Sequence, residues 1–242
     1  MANRIADISL RQAALVAGIG YLIIFIFGGF AGFFGIAVPA DAAATADNIM
    51  ASESRFRMGI ASWLLALTAD AIVAWALYVF LKPVSKSLSL LAAWLRLVFV
   101  AVFVLNQLNL VFAWLLLSGS DYATVFEPNQ LHAQAILFLN AYEYGMHISF
   151  IFFGLHIFVL GYLIFKSDYI PRILGVLLII TSVGYQIDSF GNFLSSNYAS
   201  NEALFIVFVA VPAVISEFSL TVWLLIKGRN VEQQDNHAPA AP

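Results

Sequence analysis

Long apolar runs limit what this chain can fold into more than any other feature. A helix needs about 20 predominantly apolar residues to cross the ~30 Å hydrocarbon core of a bilayer. Windows at about 13–38, 58–81, 88–117, 134–165, 173–194 and 203–226 all meet that length. None alternates with the period of two that a barrel strand requires. Composition agrees: 62% of the 242 residues are hydrophobic and 10% charged, against about 25% charged in soluble domains. The reading is an all-α integral membrane protein, a bundle of six transmembrane helices over residues 13–226. The third and fourth runs exceed what a bilayer needs, so those helices tilt or project into water.

Orientation follows from the basic residues of short loops. Arg4 and Arg11 precede the first span, Lys82 and Lys86 join the second and third, Lys166 and Arg172 the fourth and fifth, and Lys227 and Arg229 follow the sixth. Only Arg55 and Arg57 lie on the opposite side. Both termini are therefore expected in the cytoplasm: residues 1–12 as a short N-terminal segment, and 227–242, ending "NVEQQDNHAPAAP", as a polar disordered tail. The external segment "VPADAAATADNIMASESRFR" is Ala-rich and predicts an outer interfacial helix at about 41–55, or an outward extension of the second span. "IAVPADAAA" resembles a signal-peptidase site, but the preceding run exceeds the roughly 7–15 residues of a signal-peptide core, so an uncleaved first span is expected.

Several functions are excluded. Without cysteine there is no disulfide, thiolate nucleophile or Cys-bound metal. No basic, aromatic-interleaved stretch suggests a nucleic-acid partner. Every lysine lies in a loop or at a span end, so a retinal Schiff base has no anchor. His147 and His156 occupy one helix at different depths and on opposite faces, which rules them out as a bis-histidine haem pair. No phosphate loop, nucleophile elbow or HExxH motif is present. Glu143 and His147 at i, i+4 with Asp188 fall short of a full ligand pattern, so no metal site is assigned and the cofactor is unknown.

What remains is a set of polar side chains inside hydrocarbon, each costing about 2.5–3.5 kcal/mol if ionised near a helix centre. At about 100° per residue, Glu143 and His147 share one face of the fourth span, whereas His156 lies on the other, about one and a half nanometres along the axis. Asn106, Asn109, Glu143, His147, Tyr185 and Asp188 fall at similar outward depth and are the candidate lining of a polar pocket open to the extracytoplasmic side. Asp70, Arg96, His156 and Glu217 form a candidate intramembrane charge network, with Arg96 expected to pair with Asp70 or Glu217. The carboxylates Asp70, Glu143, Asp188 and Glu217 outnumber the single permanent intramembrane cation, Arg96. Pro212 frees a carbonyl in the sixth span, and the first span's glycines, including Gly28 and Gly32, read as close-packing positions.

No complete nucleophile–base–orienter set is visible. The leading reading is binding, sensing or passage of a small molecule or ion. An accessory or structural subunit of a membrane complex and an intramembrane enzyme acting on an apolar substrate are the alternatives. Membrane lipids, a small ligand or ion, and a second copy or a complex partner are the partners this reading admits.

The segment "FFGLHIFVLGYLIFKSDYIPRILGVLLIITSVGYQIDSF" (152–190), together with "DAAATADNIMASESRFRMGI" (41–60) and "LAAWLRLVFV" (91–100), closely resembles an uncharacterised family of bacterial multi-pass proteins, domain of unknown function 4386. The resemblance implies a bacterial cytoplasmic (inner) membrane protein with the same span count. It carries over no activity and no catalytic residue. His156, Asp188 and Arg96 fall within its motifs, whereas Glu143 and His147 do not.

Overall fold

A computed structural model describes residues 8–34, 42–119 and 125–231. The first seven residues, part of the external segment and the tail beyond Val231 lie outside the described residues. Within them the regular structure is helical: α1 (Leu10–Phe34), α2 (Ala42–Ala51), α3 (Glu53–Leu81), α4 (Lys86–Leu117), α5 (Pro128–Lys166), α6 (Arg172–Leu194) and α7 (Tyr198–Ile226), followed by a 3-10 turn at Gly228–Asn230. Six of these, all but α2, are long and apolar enough to cross a membrane.

Local sequence explains several helix starts. Ser9 and Gln12 cap α1 reciprocally: the Ser9 N–H donates to Gln12 Oε1 at 2.9 Å and the Gln12 N–H to Ser9 Oγ at 3.2 Å. Ser85 caps α4 by accepting from the Leu88 N–H. Pro128 opens α5, where a missing N–H costs nothing. Pro171 precedes α6.

The spans pack in chain order, α1 on α3, α3 on α4, α4 on α5, α5 on α6 and α6 on α7, and α7 returns to α1 to close the ring. Short turns at 82–85 and 167–171 and the 3-10 turn share one end, called the basic end below. At the opposite end α2 lies against α5, α3 and α4, placing Ile49 in a small core with Phe56, Ile60, Leu110 and Leu139. Large apolar side chains such as Leu105, Ile180 and Phe208 point outward. Lipid solvates them as well as a core would, and the interior combines large apolar side chains such as Phe80, Phe103 and Leu160 with small and polar ones.

Glycines set the closest crossings. A Cβ on Gly161 would stand 2.8 Å from the Gly175 carbonyl oxygen, and one on Gly175 would stand 2.6 Å from that of Gly161, so α5 and α6 touch backbone to backbone there. In α1 the close approaches are Gly18, against Leu225, and Gly20, against Val73. The expectation for Gly28 and Gly32 is corrected: among the described residues Gly32 has nothing within 4 Å, and Gly28 makes only an ordinary contact with Trp63 at 3.8 Å. That stretch of α1 turns its small face away from its neighbours. The carbonyl freed by Pro212 is that of Phe208, and it stands 3.0 Å from where a Gly184 Cβ would sit. A small residue on α6 therefore lies against the unpaired acceptor.

Candidate functional site

Counted from the basic end, Tyr21, Asp70, Arg96, His156, Tyr185 and Glu217 each lie about 9–13 residues into their helix, ~14–20 Å at 1.5 Å per residue. That is about half the thickness of a hydrocarbon core. Each comes from a different span. At their centre Arg96 is only 1% exposed. Its Nε and Nη2 both meet Asp70 Oδ1. Its Nη1 donates to the Tyr21 hydroxyl at 2.8 Å and approaches His156 Nε2 at 3.1 Å. The guanidinium also lies over the rings of Tyr21 and Phe153, 4.8 and 5.5 Å from their centroids.

The tautomer of His156 follows from its partners. Its Nδ1 stands 2.8 Å from the Ala92 carbonyl oxygen, which only accepts, so Nδ1 carries the proton. Its Nε2 faces a guanidinium, which only donates, so Nε2 is bare. His156 is a neutral imidazole, and Asp70 with Arg96 is a neutral pair. Tyr185 extends the group by donating to Glu217 Oε1 at 3.3 Å.

A second polar group lies farther from the basic end, between α5, α6 and the first turn of α7. His147 Nδ1 stands 3.5 Å from Asp188 Oδ2, while the Tyr198 hydroxyl donates to Asp188 Oδ1 at 2.8 Å. The Tyr198 ring meets His147 edge-on at 5.7 Å and stacks on Phe205 at 4.8 Å, which orients the phenol. His147 Nδ1, Ser189 Oγ and Asn192 Oδ1 are buried and make no hydrogen bond among the described residues. Buried polar atoms are nearly always paired, so this end keeps bonding capacity that the centre has used up.

The structure divides the other sequence candidates. His147 and Asp188 meet each other, and Tyr185 belongs with Glu217 at the centre. Asn106 and Asn109 form part of the α4–α5 seam: Asn106 Nδ2 donates to the Tyr142 carbonyl at 2.8 Å, Asn109 Nδ2 donates to Asn106 Oδ1 at 2.9 Å, and Gly145 makes room for the amide. Glu143 is exposed. It sits ~6 Å beyond His147 along α5, near the level where α6 ends at Leu194. With 39 residues, ~58 Å, α5 outruns the bilayer on this side.

Residues 16–228 match the family described as Domain of unknown function (DUF4386). The chain belongs to the DUF4386 family. An "Uncharacterized protein" of Archaeoglobus fulgidus is 33% identical over 169 residues, covering 70% of this chain and 83% of that relative. No solved structure matches. The DUF4386 match runs from α1 to the 3-10 turn and so includes both polar groups. Ser189 and Asn192 are absent from the sequence-derived candidates, and so are Tyr21 and Tyr198. The signal for the two phenols was a tyrosine inside or beside an apolar run, whose hydroxyl must find a partner when buried.

Proposed function

We propose that this membrane protein binds a small polar molecule or ion at the His147–Asp188–Tyr198 end of its bundle. Cytoplasmic termini, as the basic loops suggest, would open that site to the extracytoplasmic side of a bacterial cytoplasmic membrane. The observation that carries the reading is the unpaired bonding capacity of His147, Ser189 and Asn192 beside a carboxylate that is itself only half engaged. Asp188 supplies an acceptor, His147 and Ser189 can donate or accept, and Asn192 adds an amide. This set suits ligand binding better than catalysis, because no nucleophile is held against a base.

The central group supports the same division of labour. Arg96, Asp70 and His156 satisfy one another and leave little for a ligand. Native mass spectrometry of protein gently extracted from its own membrane tests the proposal. A small adduct should be present on the wild type, persist in Gly32→Ala, and be lost in both Asp188→Asn and His147→Gln. An adduct unchanged in those two variants, or a constant protein partner in its place, contradicts the reading.

A further inference from the structure

We infer that Glu217 is the seat of an exchangeable proton at the middle of the bundle, held as a neutral carboxylic acid against the Tyr185 hydroxyl. The inference does not depend on the end site. It begins with charge: in hydrocarbon, every charge needs a counter-charge within reach. Among the groups that face Glu217, Arg96 of α4 is the cation, and Asp70 of α3 already takes it through two of its nitrogens. His156 of α5 is neutral, because its Nδ1 donates to the Ala92 carbonyl and its Nε2 faces the guanidinium. Tyr21 of α1 and Tyr185 of α6 are neutral phenols that bond to Arg96 and Glu217 respectively. A second carboxylate would leave the group with one uncompensated negative charge in an enclosed site, where Glu217 itself is 9% exposed.

Two species neutralise such a group, a proton or a metal cation. A metal cation needs several oxygen ligands, and the carboxyl of Glu217 is partnered by one phenol. No three acidic or histidine side chains converge anywhere among the described residues. The nearby Arg96 would also repel a second cation. A proton needs only one oxygen: Tyr185 donates to Oε1, and Oε2 carries the hydrogen. Because every span contributes one side chain to this group, losing that proton would place a new charge in a cluster shared by all six helices.

Infrared spectroscopy of the full-length protein in lipid nanodiscs tests this. The wild type at neutral pH should show a protonated-carboxyl C=O band that shifts on 13C-glutamate labelling, shifts in deuterium oxide, and disappears in Glu217→Gln. It should persist in Asp188→Asn. Glu217→Gln copies the shape and charge of the neutral acid, so its midpoint of thermal unfolding at neutral pH should equal that of the wild type. Absence of a glutamate-derived band at neutral pH overturns the inference. So does a band that survives Glu217→Gln, a Glu217→Gln protein that fails to fold, or wild-type stability that depends on which monovalent cation is supplied at constant ionic strength.

Discussion

Arg96 and Asp70 meet at mid-depth in the bundle, with Nε and Nη2 of the guanidinium on one carboxylate oxygen, Asp70 Oδ1. Both side chains are almost wholly enclosed, at 1% and 6% exposure. Each half of such a pair is tolerable only in the presence of the other. Removing one partner of a buried pair costs about 3–5 kcal/mol, mostly because the survivor is left uncompensated. Arg96→Ala and Asp70→Ala should each lower the thermal unfolding midpoint sharply. The double variant should lose much less than the sum, and strict additivity in that cycle would refute the pairing.

Outside the membrane-spanning segments, Tyr169 holds the α5–α6 turn onto α3 by donating to the Phe80 carbonyl at 2.7 Å. Burial pushes its phenol well above the ordinary tyrosine value, despite an opposing contribution from Ser167. A raised folded-state value means that the contribution is complete below the unfolded value of about 10 and is lost as the pH rises beyond it. Tyr169→Phe should therefore lower stability by about 1 kcal/mol at neutral pH. The difference from wild type should shrink in alkali above about pH 10. A gap that stays constant into strong alkali would show that the hydroxyl is not the source.

The α5–α6 crossing makes a steric prediction. The nearest atom to a Cβ on Gly161 or Gly175 is a backbone carbonyl oxygen of the facing helix, at 2.8 and 2.6 Å. Gly161→Ala and Gly175→Ala should each cost about 1–3 kcal/mol, because the helices must separate. Gly32→Ala adds a methyl where nothing among the described residues lies within 4 Å. It should be neutral or stabilising, by up to about 1 kcal/mol. Equal losses at all three positions in thermal unfolding would contradict the described crossing.

The fold class was legible because a bilayer imposes a length on each span and forbids unpaired backbone, so apolar runs alone define the six helices. The charge imbalance around Arg96 was equally visible, since it needs only a count of intramembrane charges. Depth and helical phase were too coarse to assign partners. Tyr185 lies less than one turn from Asp188, yet the two point to different groups, because α7 reaches Tyr185 with Glu217 and Asp188 with Tyr198. Glu143 shares a helical face with His147 but differs in burial, and the sequence of α5 carries no record of where its neighbours stop. The glycine spacing at Gly28 and Gly32 looked like a packing motif, whereas contact occurs at Gly18 and Gly20, which are distinguished only by where α3 and α7 lie.

Solvent access is the most direct test of the proposed division between a closed centre and an open polar end. The chain has no cysteine, so a single introduced thiol reports alone. Asn192 is half-buried beside the His147–Asp188 pair, whereas Ser216 is fully buried and shares a 2.9 Å hydrogen bond with Thr181. A membrane-impermeant thiol reagent added outside intact cells should label Asn192→Cys readily and leave Ser216→Cys unmodified. Labelling of Asn192→Cys only after the membrane is permeabilised, or labelling of both positions at similar rates, would contradict the account.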